Sequence, residues 1–289
     1  MPSLKIPGPL VSIDWLEKHL SHPDLVILDG SWHMPSVKRD GKLECLKQRI
    51  PGALFFDFNR EICHQNNPLP HMMPSESDFQ ESVQNLGINQ RSTIVVYDTV
   101  GIFSSPRVWW MFKTMGFENV AVLDSGFPAW LEKSLPIESG HIPQPVVKGD
   151  FIANYQKALI CTAEDVLQAS GSSQQSIIDA RPSARFLGQQ AEPRAGIRVG
   201  HMPNAQNLPS TSVLENNKMK DAYQLALIFE ALSGKDKRVI FSCGSGVTAC
   251  ILALAASLAG YENIGVYDGS WAEWGSRVDL PVIAEENSH

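Results

Sequence analysis

Two stretches of this chain are copies of one pattern. Gly116–Asp124 resembles Gly260–Asp268, and each stretch is followed six residues later by a tryptophan, Trp130 or Trp274. The offset (260 − 116 = 144) is about half of the 289 residues. Solenoid repeats are only about 20–50 residues long, so a repeat of this length indicates the duplication of a whole domain.

The repeat extends through the earlier part of each copy. The matching pairs are Val26–Asp29 with Ile177–Asp179 and Ile50–Ala53 with Met202–Ala205. Ser12 and Thr162 stand before helical patterns, and both residue types are typical helix N-caps. The pattern predicts an N-terminal domain over 1–140, a linker over 141–157 that contains Pro143 and Pro145, and a C-terminal domain over 158–289.

Each copy alternates strand and helix patterns, which is typical of an α/β domain with a mainly parallel sheet flanked by helices. Thr93–Tyr97 and Arg238–Ser242 have the composition of buried strands. A Gly-rich turn, Cys243–Val247, follows the second of these and precedes a helical pattern over Thr248–Leu258. Ligands bind α/β folds at the carboxyl ends of the strands, so the loop that begins at Cys243 is the first candidate site.

Charge and hydropathy argue against nucleic-acid and membrane partners. The chain has 24 basic and 31 acidic residues, a net charge of −7, and no run of Lys or Arg that could follow a phosphate backbone. Its longest apolar stretch, Val247–Ala259, has 13 residues, whereas a membrane-spanning helix needs about 18 or more.

The cysteines indicate a reducing compartment. The five are Cys45, Cys63, Cys161, Cys243 and Cys250. They are odd in number, widely spaced and without a C-x-x-C pair, which fits neither a disulfide framework nor a zinc site. The first ten residues have neither the apolar core of an export signal nor the Arg-rich pattern of an organellar one. We therefore expect a cytoplasmic protein with free thiols.

Two interpretations of the Cys243 loop fit poorly. Gly244, Gly246 and Ala249 match a dinucleotide-binding fingerprint, with Asp268 at the end of the next strand. However, only 21 residues follow Asp268, too few for the rest of a nucleotide-binding sheet. A phosphatase-like loop would need an arginine at the sixth position after the cysteine, where this chain has Ala249.

A third interpretation makes Cys243 a sulfur nucleophile. Backbone amides of the loop and the N-terminus of the following helix would favour the thiolate, which is the reactive form. Small residues at 244–246 would let the backbone fold around a sulfur atom. The alternative is a small, buried and inert side chain, which is the commoner role of a free cysteine.

The two-domain layout, the segment Cys243–Thr248 and the segment Val266–Trp274 together resemble the rhodanese superfamily, and more narrowly its 3-mercaptopyruvate sulfurtransferase family. The resemblance covers Val11 to Trp274. It implies an inactive N-terminal copy, in which Asp98 stands near the place of Cys243. It also implies sulfur transfer from 3-mercaptopyruvate through a Cys243 persulfide to cyanide, a small thiol or thioredoxin, with release of pyruvate and with no metal or other cofactor.

The resemblance assigns further residues to the site. Arg185 and Arg194 match the two arginines that bind the substrate carboxylate and keto group, and a planar guanidinium suits that task. Ser245, His71 and Asp57 match an activating relay. Gly244, Gly246, Val247 and Thr248 complete the uncharged loop expected to surround the donor.

Two alternatives remain open at this point. A thiosulfate sulfurtransferase has the same fold but carries basic residues in the loop after its cysteine, where this chain has no charge. A non-catalytic rhodanese-type module would instead bind or sense a persulfide. The chain also departs from the family pattern at Arg49, where His is usual, and at Asn204, where Gly is common. Because Asn tolerates left-handed backbone angles, we expect that second turn to be kept.

Overall fold

Two five-stranded sheets with the same strand order underlie the repeat. The computed structural model of the protein describes residues 4–142 and 147–284, and the chain divides into two compact units. The first contains the described residues up to Gln65, those of Met73–Gln156, and Asn216–Met219; the second contains Asn66–Met72, Lys157–Glu215 and the described residues from Lys220 onward. Pro143 and Pro145 of the predicted linker lie outside the described residues.

The first unit alternates short strands and helices. Its sheet consists of β1 (Leu10–Val11), β2 (Leu25–Asp29), β3 (Leu54–Phe55), β4 (Thr93–Tyr97) and β5 (Val120–Leu123). The helices are α1 (Ile13–His19), α2 (Gly41–Lys47), α3 (Glu76–Asn85), α4 (Ser105–Thr114) and α5 (Gly126–Glu132). The strand order is β1-β5-β4-β2-β3, and all four strand pairs are parallel.

The second unit repeats this plan. The strands of its sheet are β6 (Ile160–Cys161), β7 (Gln175–Asp179), β8 (Ala205–Asn207), β11 (Arg238–Ser242) and β12 (Ile264–Tyr267). Two short strands, β9 (Leu214–Glu215) and β10 (Lys218–Met219), lie between β8 and β11 in the chain, and β10 belongs to the segment assigned to the first unit. The helices are α6 (Ala163–Ser170), α7 (Ser183–Phe186), α8 (Ala222–Glu230), α9 (Ala249–Leu258) and α10 (Ser270–Trp274). The sheet order β6-β12-β11-β7-β8 is that of the first sheet, and its strand pairs are again parallel.

The prediction of two tandem α/β domains with mainly parallel sheets is confirmed. Strands β4 and β11 have the predicted bounds, and α9 begins one residue later than predicted because Thr248 is its N-cap. Ser12 and Thr162 cap α1 and α6 as expected, since their hydroxyl oxygens accept the backbone N–H groups of Trp15 and Asp165.

Buried tryptophans anchor each core. Trp130 in the first unit and Trp274 in the second are both fully buried, and each indole N–H donates to the carbonyl of a following proline, Pro136 or Pro281 (both 2.8 Å). Helix α9 is buried along most of its length, as expected for a helix that is apolar on all sides. Within residues 4–142 and 147–284, no helix combines the length and the hydropathy needed to cross a membrane.

The turns at Arg49 and Asn204, where the chain departs from the family pattern, are both formed. The N–H of Ala53 donates to the carbonyl of Ile50 (3.0 Å), and the N–H of Ala205 donates to that of Met202 (3.2 Å). Asn204 adopts φ of 58°, the left-handed conformation expected from its residue type. Arg49 is fully buried, and its Nη2 donates to Glu138 (2.5 Å), so this departure is an internal ion pair of the first unit.

Candidate active site

The Cys243 loop lies at the carboxyl end of β11, the central strand of the second sheet. Cys243 is buried, and residues 244–248 connect it to α9. The start of α10 holds the loop: the N–H of Trp271 donates to the carbonyl of Cys243, and the N–H of Ala272 donates to that of Gly244 (both 2.9 Å). The backbone around the sulfur is therefore fixed by two neighbouring strand ends.

The corresponding loop of the first unit surrounds the side-chain carboxylate of its own Asp98. Asp98 follows β4, the central strand of that sheet, as Cys243 follows β11. Its buried carboxylate accepts five backbone N–H groups, from Val100, Gly101, Phe103, Ser104 and Ser105, at 2.8–3.0 Å. The Ser105 hydroxyl also donates to it (2.7 Å). At this position the fold directs amide groups toward a negative charge.

Ser270 contacts the Cys243 loop from α10. Its hydroxyl oxygen accepts the backbone N–H groups of Cys243 (3.2 Å) and Gly246 (3.1 Å) and lies 4.0 Å from the Cys243 sulfur. The hydroxyl donates to the carbonyl of Tyr267 (2.8 Å). Ser270 is fully buried with φ of +50°, a strained conformation for a residue with a Cβ atom.

Arg185 lies directly beside the loop. A Cβ atom added to Gly244 would lie only 3.0 Å from Arg185 Nη2. Both Nε (3.3 Å) and Nη2 of Arg185 donate to the carboxylate of Glu192. A side chain at 244 would therefore crowd this guanidinium group, which would have to shift by a few tenths of an ångström.

Glu192 is bound by a second arginine. Arg181 donates to Glu192 Oε1 (2.8 Å), pairs with Asp179 (2.8 Å) and donates to the carbonyl of Gly200 (2.9 Å). Its guanidinium group also lies 4.2 Å from the ring centroid of Trp271, a cation–π distance. Arg181 is thus a fixed, buried cation.

Arg194 differs from Arg181 and Arg185 in that no carboxylate of the described residues binds it. It is half-buried, and among residues 4–142 and 147–284 its guanidinium group makes no hydrogen bond or ion pair. Burial lowers its pKa from the ordinary value, the nearby Arg185 adds to this, and the charges of Cys243 and Glu192 oppose it. Arg194 is therefore a cation close to Cys243 whose donors are available to a bound anion.

The three predicted relay residues belong to different units: Ser245 and His71 to the second and Asp57 to the first. Ser245 is buried within the Cys243 loop, and His71, although it precedes β4 in the chain, belongs to the second unit. Asp57 belongs to the first unit, where its carboxylate accepts the N–H groups of Asn59 (3.1 Å) and Arg60 (2.9 Å). Burial raises the pKa of Asp57. Val247 is buried and Thr248 half-buried at the end of the loop.

Comparison with known proteins decides the family. A model of the rhodanese-like domain matches residues 12–133 and 162–277, once in each copy of the repeat. The chain belongs to the rhodanese-like family. The match confirms the resemblance drawn from the Cys243–Thr248 and Val266–Trp274 segments.

Relatives of this rhodanese-like chain are sulfurtransferases. It is 40% identical over 274 residues to 3-mercaptopyruvate sulfurtransferase of Escherichia coli strain K12, covering 94% of this chain and 96% of that protein. It is 38% identical over 307 residues to thiosulfate/3-mercaptopyruvate sulfurtransferase 1, mitochondrial, of Arabidopsis thaliana, covering 99% and 81%. The crystal structure of SseA from Escherichia coli matches with a TM-score of 0.82 and 37% identity over 91% of this chain and 99% of that one. These relatives confirm the prediction of a sulfurtransferase enzyme.

Three residues at the site of this rhodanese-like chain have no assigned role in the sequence interpretation: Arg181, Glu192 and Ser270. Alternating charges from Asp179 to Arg194 are a signal for the first two, since buried arginines need carboxylate partners. The repeat is a signal for Ser270, because its counterpart is Gly126, which also has positive φ (56°). A serine is strained at a position where the other copy has a left-handed glycine, which indicates that the hydroxyl group of the serine has a role there.

Proposed function

We propose that this protein transfers sulfur from 3-mercaptopyruvate to a thiophilic acceptor through a persulfide on Cys243 and releases pyruvate. The observation that carries the proposal is the difference between the two residues that follow the central strands, Asp98 after β4 and Cys243 after β11. Where the first unit has Asp98 surrounded by amides, the second has a cysteine beside Arg185 and Arg194. A loop built for negative charge would there stabilise a thiolate and, later, a persulfide anion.

The two arginines suit the donor. Mercaptopyruvate carries one carboxylate and a keto group, both of which accept the paired N–H donors of a guanidinium group. Arg194 offers free donors, and Arg185 lies beside Gly244. Binding the carboxylate by these side chains would direct the donor sulfur toward Cys243.

The first half-reaction breaks the carbon–sulfur bond of the donor. The Cys243 thiolate attacks the donor sulfur, a sulfur–sulfur bond forms, and the electron pair of the carbon–sulfur bond leaves as the enolate of pyruvate. The donor thiol gives up its proton, one proton is delivered to the enolate carbon, and pyruvate and a Cys243 persulfide anion remain. Ser245 and His71, with Asp57, are proposed to move this proton, as general acid–base groups do.

The second half-reaction returns Cys243 to its thiolate. An acceptor nucleophile attacks the outer sulfur, the sulfur–sulfur bond breaks, and its electron pair stays on Cys243. Cyanide would give thiocyanate in the test tube, and a small thiol or thioredoxin would take the sulfur in a cell. We expect this exchange in the cytoplasm, where acceptor thiols stay reduced; all five cysteines of the chain are free thiols.

Intact mass spectrometry after brief incubation with 3-mercaptopyruvate tests the proposal. We expect one added sulfur atom, located on Cys243 by peptide mapping, and its removal by cyanide. Cys243→Ser should take up no sulfur and have no turnover, whereas Cys250→Ser, seven residues later in α9, should load like the wild type.

Two outcomes would replace the proposal. Equal or better loading by thiosulfate would make the protein a thiosulfate sulfurtransferase, an activity included in the name of the Arabidopsis relative. A Cys243 inert toward both donors would leave a persulfide-binding module. Thiosulfate should load more weakly because residues 244–248 carry no positive charge for a dianion.

A further inference from the structure

The carboxylate of Glu192 is fixed by two arginines. Its Oε1 accepts from Arg181 Nη1 (2.8 Å) and Arg185 Nε (3.3 Å), and its Oε2 accepts from Arg185 Nη2. Only 4% of the Glu192 side chain is exposed, with 1% of Arg181 and 14% of Arg185. The negative charge of Glu192 therefore has a set position beside the Cys243 loop and little screening by solvent.

The charges of this network nearly cancel. Asp179 pairs with Arg181, and Glu192 offsets Arg185, which leaves Arg194 as the cation whose charge is not balanced by a bound carboxylate among the described residues. Three guanidinium groups and two carboxylates give a net charge of about +1 before the thiolate is counted. Removing the charge of Glu192 would raise this sum by one unit, which would favour a donor that carries a second negative charge.

We propose that Glu192 is a specificity-determining residue that makes the site prefer monoanionic donors such as mercaptopyruvate over dianionic donors such as thiosulfate. The inference rests on the proposed function of Cys243. A fixed negative charge repels a dianion about twice as strongly as a monoanion at the same distance, since Coulomb energy scales with the product of the charges. Neutralising Glu192 therefore helps thiosulfate more than mercaptopyruvate.

Glu192 also positions Arg185. Two N–H groups of one guanidinium plane bind the two carboxylate oxygens, which fixes the orientation of that plane beside Gly244. Charge and position can be separated experimentally. Glu192→Gln keeps the length of the side chain and removes its charge, whereas Glu192→Asp keeps the charge and shortens the reach.

The test compares kcat/KM for thiosulfate and for mercaptopyruvate, with cyanide as acceptor, in the wild type and both variants. For Glu192→Gln we expect the thiosulfate-to-mercaptopyruvate ratio to rise about fivefold or more at low salt, and the rise to shrink at high salt. For Glu192→Asp we expect KM to rise for both donors while the ratio stays within about twofold of the wild type.

Glu44→Gln is the matched control. Glu44 lies in the first unit, where Arg39 donates to it through Nε (2.6 Å) and Nη2 (2.8 Å) and His33 contacts it (2.9 Å). The substitution changes the net charge equally and breaks the same kind of ion pair, so the donor ratio should stay at the wild-type value. A rise of equal size in this control would assign the effect to net charge and overturn the role of Glu192.

Failure of the inference and failure of the proposed function give different results. Loading of wild-type Cys243 by mercaptopyruvate is measured first, and its absence overturns the proposed function. Normal wild-type loading with an unchanged donor ratio in Glu192→Gln overturns only the role of Glu192. An equal change of the ratio in Glu192→Asp would mean that position, rather than charge, sets the preference.

Discussion

Ser270 and Gly126 occupy the same place in the two copies, and both have positive φ, 50° and 56°. Left-handed backbone angles cost a residue with a Cβ atom roughly 1–2 kcal/mol, whereas glycine adopts them freely. The second unit tolerates this cost at a buried serine whose hydroxyl oxygen accepts the N–H groups of Cys243 and Gly246. We interpret Ser270 as a positioning residue for the Cys243 loop.

Replacing Ser270 separates its hydroxyl from its backbone strain. Ser270→Ala removes the hydroxyl oxygen that accepts the N–H groups of Cys243 and Gly246, so we expect the loop to lose its fixed position and kcat for mercaptopyruvate to fall about tenfold or more. Ser270→Gly should regain stability relative to Ser270→Ala while its kcat stays low. Steady-state kinetics and the midpoint of urea unfolding check both statements. Ser257→Ala, which removes a hydroxyl that donates within α9 (3.0 Å), is the control, and wild-type kcat in both Ser270 variants would contradict the role.

At the scale of elements, both units have a loop between the central strand of the sheet and the following helix, but the two loops differ in length and in the side chain with which they begin. In the first unit the seven positions from Asp98 to Ser104 precede α4; in the second the six from Cys243 to Thr248 precede α9. The extra residue lets the backbone surround a carboxylate with five amides. A carboxylate has two oxygens that accept hydrogen bonds, whereas the side chain of Cys243 ends in a single sulfur atom, so the shorter loop has the smaller group to surround.

Asp98→Asn should destabilise the first unit without changing the chemistry of Cys243. Whichever oxygen the amide group replaces, at least two N–H donors lose their acceptor, and we expect the free energy of unfolding to fall by about 2–4 kcal/mol. Chemical denaturation measures the change, and hydrogen exchange should locate it in the loop and α4. Asp14→Asn, an exposed change of equal charge in α1, should cost little; an unchanged stability of Asp98→Asn would contradict the importance of these hydrogen bonds.

Elements and the repeat could be predicted from local pattern alone. The bounds of Thr93–Tyr97 and Arg238–Ser242 follow from apolar runs bounded by turns, and the N-caps Ser12 and Thr162 follow from residue type. Counting along the repeat places Asp98 within one residue of Cys243, since 98 + 144 = 242. These features depend on near neighbours in sequence, where hydropathy and turn chemistry are direct evidence.

The contacts of the site could not be predicted in this way. Ser270 and Cys243 are 27 residues apart in the chain, and they meet because β11 and β12 pair in the sheet. Glu192 meets Arg181 and Arg185, 11 and 7 residues away, through the fold of an irregular loop. His71 precedes β4 in the chain yet belongs to the second unit, and nothing in its local sequence marks this exchange. Such placements depend on tertiary packing, which the periodicity of single segments does not encode.

At the scale of the whole molecule, the two copies treat one buried aspartate differently. Asp29 ends β2 and Asp179 ends β7, and both are fully buried. Arg181, two residues after Asp179, pairs with it, whereas the first unit has Ser31 at that position. Burial raises the pKa of Asp29 from 3.8 to about 6, and no cation of residues 4–142 and 147–284 forms an ion pair with it. The two units should therefore respond oppositely when these aspartates are neutralised.

Asp29→Asn should make the stability of the first unit less dependent on pH. The folded state keeps the Asp29 proton up to about pH 6 and the unfolded state loses it near 3.8, so this group's contribution is complete below about pH 4 and is lost as pH rises through 6. The loss amounts to about 3 kcal/mol, and the variant should lack it and equal or exceed wild-type stability at pH 7. Hydrogen exchange of β2 and of β7 between pH 4 and 8 measures the stability of each unit separately.

Asp179→Asn, which breaks a buried ion pair, should instead lower the free energy of unfolding by about 3 kcal/mol at pH 7. Equal responses of the two variants would contradict the argument.

Asp98 is a ligand tethered to its own binding loop. A tethered group acts at an effective concentration far above that of any free anion in a cell, so the loop of the first unit is saturated at every solute concentration. We therefore expect free anions not to displace Asp98, and residues 98–104 contain no thiol that could be alkylated or oxidised. If Cys243 carries the sulfur as proposed, one chain has a single exchangeable sulfur position in these two loops, and the loop of Asp98 would not compensate for chemical damage at Cys243.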